Sequence, residues 1–80
     1  MKRLTVKWFA AYRDATGVTE ESVETAAATT ADLFAEMTER HPALGGYRRA
    51  LVAINNEMKD WAAGIGDGDE VLFFPPVAGG

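Results

Sequence analysis

The chain has no cysteine and a single histidine among its 80 residues. A disulfide framework, a cysteine nucleophile and a cysteine-bearing zinc site are therefore excluded. A domain of this size buries only about 60% of the surface its unfolded chain exposes, so one small core must hold without such staples. The absence of cysteine fits a reducing compartment. No apolar run approaches the roughly 20 residues of a membrane span, and no basic start precedes an apolar stretch and a cleavage site. A cytoplasmic protein with no membrane partner is expected. The net charge is -4 and the cations are scattered, Lys2 and Arg3 at one end and Arg48 and Arg49 in a loop. There is no basic stripe, so no nucleic-acid partner is expected.

Leu4, Val6 and Trp8 alternate with Thr5 and Lys7, the pattern of a strand with one buried face. Phe9 follows on the polar side, and Ala10 to Gly17 reads as a connection closed by a glycine turn. Glu21 to Thr25 is a second strand whose acidic residues suit an exposed edge. A helix is expected over 27–41. Thr29 and Asp32 resemble a capping box, Leu33, Phe34 and Met37 form the apolar face, and Glu36 with Arg40 forms a pair on the wet side. Pro42 stops it. Leu51 to Ile54 is a short apolar strand, Asn55-Asn56 has turn chemistry, and Met58 to Trp61 predicts a brief fourth strand. Glu70 to Phe74 is the last strand, ended by Pro75. This order predicts an α+β fold, a mixed sheet of four to five strands packed on one main helix. The β-grasp arrangement fits it, with first and last strands side by side in the centre. Residues 1–80 read as one domain, with 75–80 as an extended tail.

Parity in the last strand carries more. With Val71 and Phe73 facing the helix, Leu72 and Phe74 fall on the opposite face, where no second helix waits. Phe9 and Leu51 are expected to point the same way from neighbouring strands, with Met58 nearby. The expectation is an exposed apolar patch beside the tail, which on a small protein marks a partner site. The alternative is that loops fold over these rings.

The tail itself, Val77-Ala78-Gly79-Gly80, follows two stiffening prolines and carries only small residues. Four extended residues reach roughly 13–14 Å, at about 3.3–3.6 Å each, enough to enter a partner's cleft. Glycine accepts any backbone path there. The working group is then the carboxylate of Gly80. Asp67-Gly68-Asp69-Glu70 lacks the twelve-residue ligand spacing of a calcium loop, and the glycines at 64–68 lack the Lys-Ser/Thr of a phosphate loop. No metal site is expected. His41, at a helix end, is expected to serve the last carbonyls or the dipole. Arg13 is either a surface cation or a partner-facing one.

The run from Gly68 to Gly80, ending Phe-Phe-Pro-Pro-Val-Ala-Gly-Gly, closely resembles the C-terminus of the MoaD-like sulfur carriers, the small subunits of molybdopterin synthase. Phe9 to Gly17 is similar to that family's first strand and loop. The resemblance implies a ubiquitin-like β-grasp fold and a non-catalytic role in a sulfurtransferase complex. An activating enzyme would use ATP to adenylate Gly80, and sulfur would replace the adenylate to give a thiocarboxylate. That end would donate sulfur to cyclic pyranopterin monophosphate inside the large subunit, in a heterotetramer. No cofactor bound by this chain alone is implied. Phe9, Arg13, Met58, Phe74 and Pro75 match positions of the family's partner surface.

Two other readings share the same first step. One is a carrier feeding thiamine, cysteine or tRNA thiolation. The other is a ubiquitin-like modifier joined to lysines through Gly80.

Overall fold

Leu4, Val6 and Trp8 turn one face of β1 (Lys2–Trp8) fully into the core. The computed structural model describes residues 1–46, 49 and 51–75. Along these residues β1 is followed by α1 (Ala10–Thr16), β2 (Glu20–Thr25) and α2 (Thr30–Arg40). A 3-10 turn (Pro42–Gly46), β3 (Leu51–Ile54), β4 (Glu57–Lys59) and β5 (Glu70–Phe74) complete the order. The strands form one mixed sheet in the order β2-β1-β5-β3-β4. The two central strands, β1 and β5, run parallel, while β2, β3 and β4 pair antiparallel to their neighbours. This is the expected α+β sheet with first and last strands adjacent.

Register places the core. Val6 lies opposite Val71, Trp8 opposite Phe73, Val52 opposite Phe73 and Ile54 opposite Val71. Leu33, Phe34 and Met37 of α2 close over that face, with Tyr12, Leu44 and Ile65 filling the ends. The aromatic rings are layered: Trp8 stacks on Phe73 at 5.1 Å, and Phe34 meets Phe73 edge-on at 5.2 Å. Trp61 stacks parallel to the same Phe73 ring at 5.8 Å.

Several local expectations are corrected. Ala10–Thr16 is a helix rather than a loop, ended by Gly17 at a left-handed φ of 80°, where glycine has no Cβ penalty. Its seven residues bury only Tyr12, so no apolar stripe announces it. The main helix starts at Thr30, not at 27, because the preceding residues are bonded elsewhere. Ala27 donates to the Thr25 hydroxyl, and Ala28 accepts from Ile65. Thr29 is the N-cap, its hydroxyl accepting from the Asp32 amide at 3.2 Å. The fourth strand stops at Lys59, and Trp61 packs on Phe34 and Phe73 instead of extending it.

Glu36 and Arg40 do not pair with each other among the described residues. Glu36 accepts from the Thr25 hydroxyl, and Arg40 reaches Glu21 at 3.3 Å. Glu21 is the reason for the second contact. It stands opposite Val6, so it faces the core side of β2 rather than the exposed edge where Glu20 and Glu24 remain.

Candidate functional site

The open face of the sheet is built from residues whose partners share the same side. Lys7 stands opposite Leu72, Leu51 opposite Phe74, and Ala53 opposite both Leu72 and Met58. Near the end of β5 these rows are apolar. Phe9, the residue after β1, stacks on Phe74 with ring centroids 4.6 Å apart and planes 13° from parallel. Both rings are half-buried. Leu51 is 50% and Met58 54% exposed, two large apolar side chains left in water. Leu51, Met58, Phe9 and Phe74 make one patch, and Pro75, the residue after Phe74, is half-buried.

Leu72 corrects the expectation. It lies on the open face but is only 7% exposed. Ala53 stands opposite it on one side and Lys7 on the other, and Lys7 pairs with Glu70 at 3.3 Å. The patch therefore ends at Leu72, and a charged row of Lys7 and Glu70 begins. Leu51 and Met58 remain exposed, so among the described residues no loop buries them.

Arg13 is exposed on α1, one helical turn beyond Phe9, and makes no ion pair among the described residues. Its backbone carbonyl receives Gly17 at 2.8 Å. Val77, Ala78, Gly79 and Gly80 lie outside the described residues. No cluster of histidine, aspartate or glutamate among the described residues is arranged to hold a metal. The acidic loop at 67–69 is structural: Asp67 accepts from the Arg3 amide at 2.7 Å and Asp69 from the Gly66 amide at 2.7 Å.

A second polar cluster escaped sequence reading. Oε2 of Glu21 accepts from the Trp8 indole at 2.8 Å and meets Nε2 of His41 at 2.7 Å, while Oε1 takes Arg40. His41 thus turns its ring to a carboxylate and to the edge of Trp8, not to the helix carbonyls; only its backbone amide caps Met37. Burial alone would push the Glu21 carboxyl up. The hydrogen bonds from Trp8, His41 and Arg40, with the electrostatic pull of His41, outweigh it and hold the carboxyl below the usual glutamate range. The signal that could have revealed this is parity, since Glu21 shares it with Val23 and Thr25.

The model of the ThiS family matches residues 6–80. The chain belongs to the ThiS family. It is 39% identical to a Chlamydomonas reinhardtii protein named molybdopterin synthase sulfur carrier subunit, over 98% of this chain and 99% of that one. Among solved structures it is similar to the Pyrococcus furiosus protein described as molybdopterin converting factor, subunit 1. That likeness has a TM-score of 0.85 and 31% identity, covering 96% of this chain and all of that one. Small archaeal modifier protein 1 of H. volcanii is also similar, with a TM-score of 0.84 and 25% identity over 96% of this chain and 100% of its own. Family and fold expected from the tail and the element order are both met. No helix among the described residues is long and apolar enough to cross a membrane.

Proposed function

We propose that the chain is the sulfur carrier subunit of a molybdopterin synthase, working in the cytoplasm. The observation that carries this reading is the end-to-end likeness to a protein of that name, 39% identical over 98% of this chain. The apolar patch at the exit of β5 gives the likeness a physical role. Phe9, Leu51, Met58 and Phe74 dock on the large subunit, Pro75 directs the chain away from the sheet, and Arg13 pairs with a partner carboxylate at the rim. Val77, Ala78 and Gly79 are small enough to thread a narrow cleft, and the Gly80 carboxylate is the group that carries sulfur.

A free carboxylate is a poor acyl electrophile at its carbon. In the activating enzyme a carboxylate oxygen of Gly80 attacks the α-phosphorus of ATP and pyrophosphate leaves. The resulting mixed anhydride has AMP as a good leaving group. Hydrosulfide delivered by the loading enzyme attacks the carbonyl carbon, the C–O bond to AMP breaks with AMP leaving, and the thioacid loses its proton, so that the chain ends in a thiocarboxylate. Bound to the large subunit, that sulfur becomes the nucleophile toward cyclic pyranopterin monophosphate. The chain contributes no catalytic group beyond its own terminus, which explains how a protein without cysteine carries sulfur.

Intact-mass measurement of the protein from its native cell tests the reading directly. Replacement of one oxygen by sulfur at the C-terminus is the expected result, and deletion of Gly80 must abolish it. Reconstitution with a large subunit and pyranopterin precursor must then yield molybdopterin; failure with a competent partner overturns the pathway assignment. The likeness to a small archaeal modifier protein favours a second reading, conjugation of Gly80 to lysines. Lysine-linked adducts in place of the thiocarboxylate would establish it.

A further inference from the structure

Ala10 has a backbone φ of +50°. That left-handed region is disfavoured for any residue with a Cβ, and alanine has no polar side chain to offset it. Among the described residues the two other non-glycine positions with positive φ are Asn55 and Asn56, whose side chains tolerate it and whose hairpin turn between β3 and β4 requires it. Ala10 lies in no hairpin, and it is exposed, so packing of its methyl group does not hold it there.

Its neighbours supply the reason. Trp8 is fully buried under the helix side of the sheet, and Phe9, extended at φ -123° and ψ 149°, points to the other side and stacks on Phe74. Tyr12, only three residues later, is fully buried again and packs edge-on to Trp8 at 6.1 Å. Its amide returns to the Phe9 carbonyl at 3.1 Å. The chain must place one ring on the open face and the next on the core face within a single tight turn. Ala10 is the only residue of that turn with a left-handed φ among the described residues.

We propose that Ala10 is a positioning residue whose left-handed backbone sets the Phe9 ring flat on Phe74 and so fixes the apolar patch before a partner arrives. Local strain spent on one arrangement of a binding surface lowers the ordering cost of association. The consequence for binding rests on the docking role proposed above; the ring contact itself does not.

The test compares Ala10→Asn with Ala10→Leu, two side chains with the same branching and number of heavy atoms, of which only asparagine tolerates positive φ. Ring-current shifts of the Phe9 and Phe74 protons report the stack, and those of Trp8 and Phe73 report the core. Ala10→Asn is expected to keep both sets and to bind the large subunit within about twofold of the parent. Ala10→Leu is expected to lose the Phe9–Phe74 shifts with the core set unmoved, and to bind roughly tenfold more weakly. Equal behaviour of the two variants in the ring shifts overturns the proposal. Should Ala10→Leu fail to fold, a semisynthetic chain with D-alanine at position 10 decides. It must keep the stack and melt above the parent, and lower melting overturns the proposal. A parent chain that stacks Phe9 on Phe74 but binds no large subunit refutes the docking role alone.

Discussion

Phe9 and Phe74 come from two different strands' ends and stack at 4.6 Å on the open face of the sheet, opposite the core. A stacked aromatic pair contributes about 0.5–1.5 kcal/mol beyond its area. Both rings are only partly buried, so part of their apolar surface is still available to a partner. Phe74→Ala is expected to cost about 1 kcal/mol of folding stability but at least about 2 kcal/mol of large-subunit binding. Denaturant unfolding and calorimetric titration on the same samples separate the two. Equal losses would assign the rings to the core rather than to a docking surface. The double variant with Phe9→Ala should lose less than the sum of the single changes, because each ring rests on the other.

Leu51 and Met58 give a cleaner separation, since neither is needed by the fold. Both are at least half exposed, and they sit on adjacent antiparallel strands around Ala53. Leu51→Glu is expected to change stability by no more than about 0.5 kcal/mol, as for other exposed positions. A buried, unpaired carboxylate at the interface would nevertheless weaken large-subunit binding by about tenfold or more. Unchanged binding would move the interface away from β3 and β4.

Features that depend on neighbours in sequence were legible beforehand, and those that depend on pairing were not. The last strand, its proline stop and the Thr29 cap are local patterns, and each lies where the residues imply. The same alternation in β5 placed Leu72 and Phe74 on the open face. The burial of Leu72 is not legible from that alternation: Lys7 of β1 stands opposite it and pairs with Glu70, a contact between residues 63 apart in sequence. Glu21 reads as an edge residue until the register sets it opposite Val6 and beneath Trp8. Helix α1 was missed because seven residues with one buried ring present no period to detect.

The hairpin between β3 and β4 offers a route to a more stable chain that leaves the patch intact. Asn55 and Asn56 both adopt positive φ, 52° and 67°, the geometry of a tight turn matched to strand twist. Asn55 is also tied down: its amide nitrogen donates to Asp69 at 3.1 Å and its carbonyl accepts from the Glu70 amide at 3.0 Å. Asn56 has no such side-chain bond among the described residues. Asn56→Gly is therefore expected to stabilise by about 0.5 kcal/mol, raising the melting temperature by roughly 2–4 °C. The matching change at Asn55 should destabilise, because it removes two hydrogen bonds to the start of β5.

Glu21 makes stability depend on acidity. Its carboxylate accepts from Trp8 and meets His41 and Arg40, and these contacts hold its folded pKa below the ordinary value despite burial. A carboxyl depressed in the folded state contributes stability that is fully present above its unfolded pKa, about 4.3. That contribution is lost as pH falls through the folded pKa. Glu21→Gln keeps the shape and can still accept from the indole, but it forfeits the charge. The variant is expected to be about 1–2 kcal/mol less stable than the parent near neutral pH. Melting curves taken from neutral pH downward should converge only as pH falls through that depressed folded pKa, where the parent carboxyl is itself protonated. A gap that persists in acid would mean that Glu21 acts through packing, and a gap absent at neutrality would mean that its three partners contribute nothing net. Because Trp8 stacks on Phe73, one residue before Phe74, the same acidification should also shift the Trp8 indole signal before global unfolding.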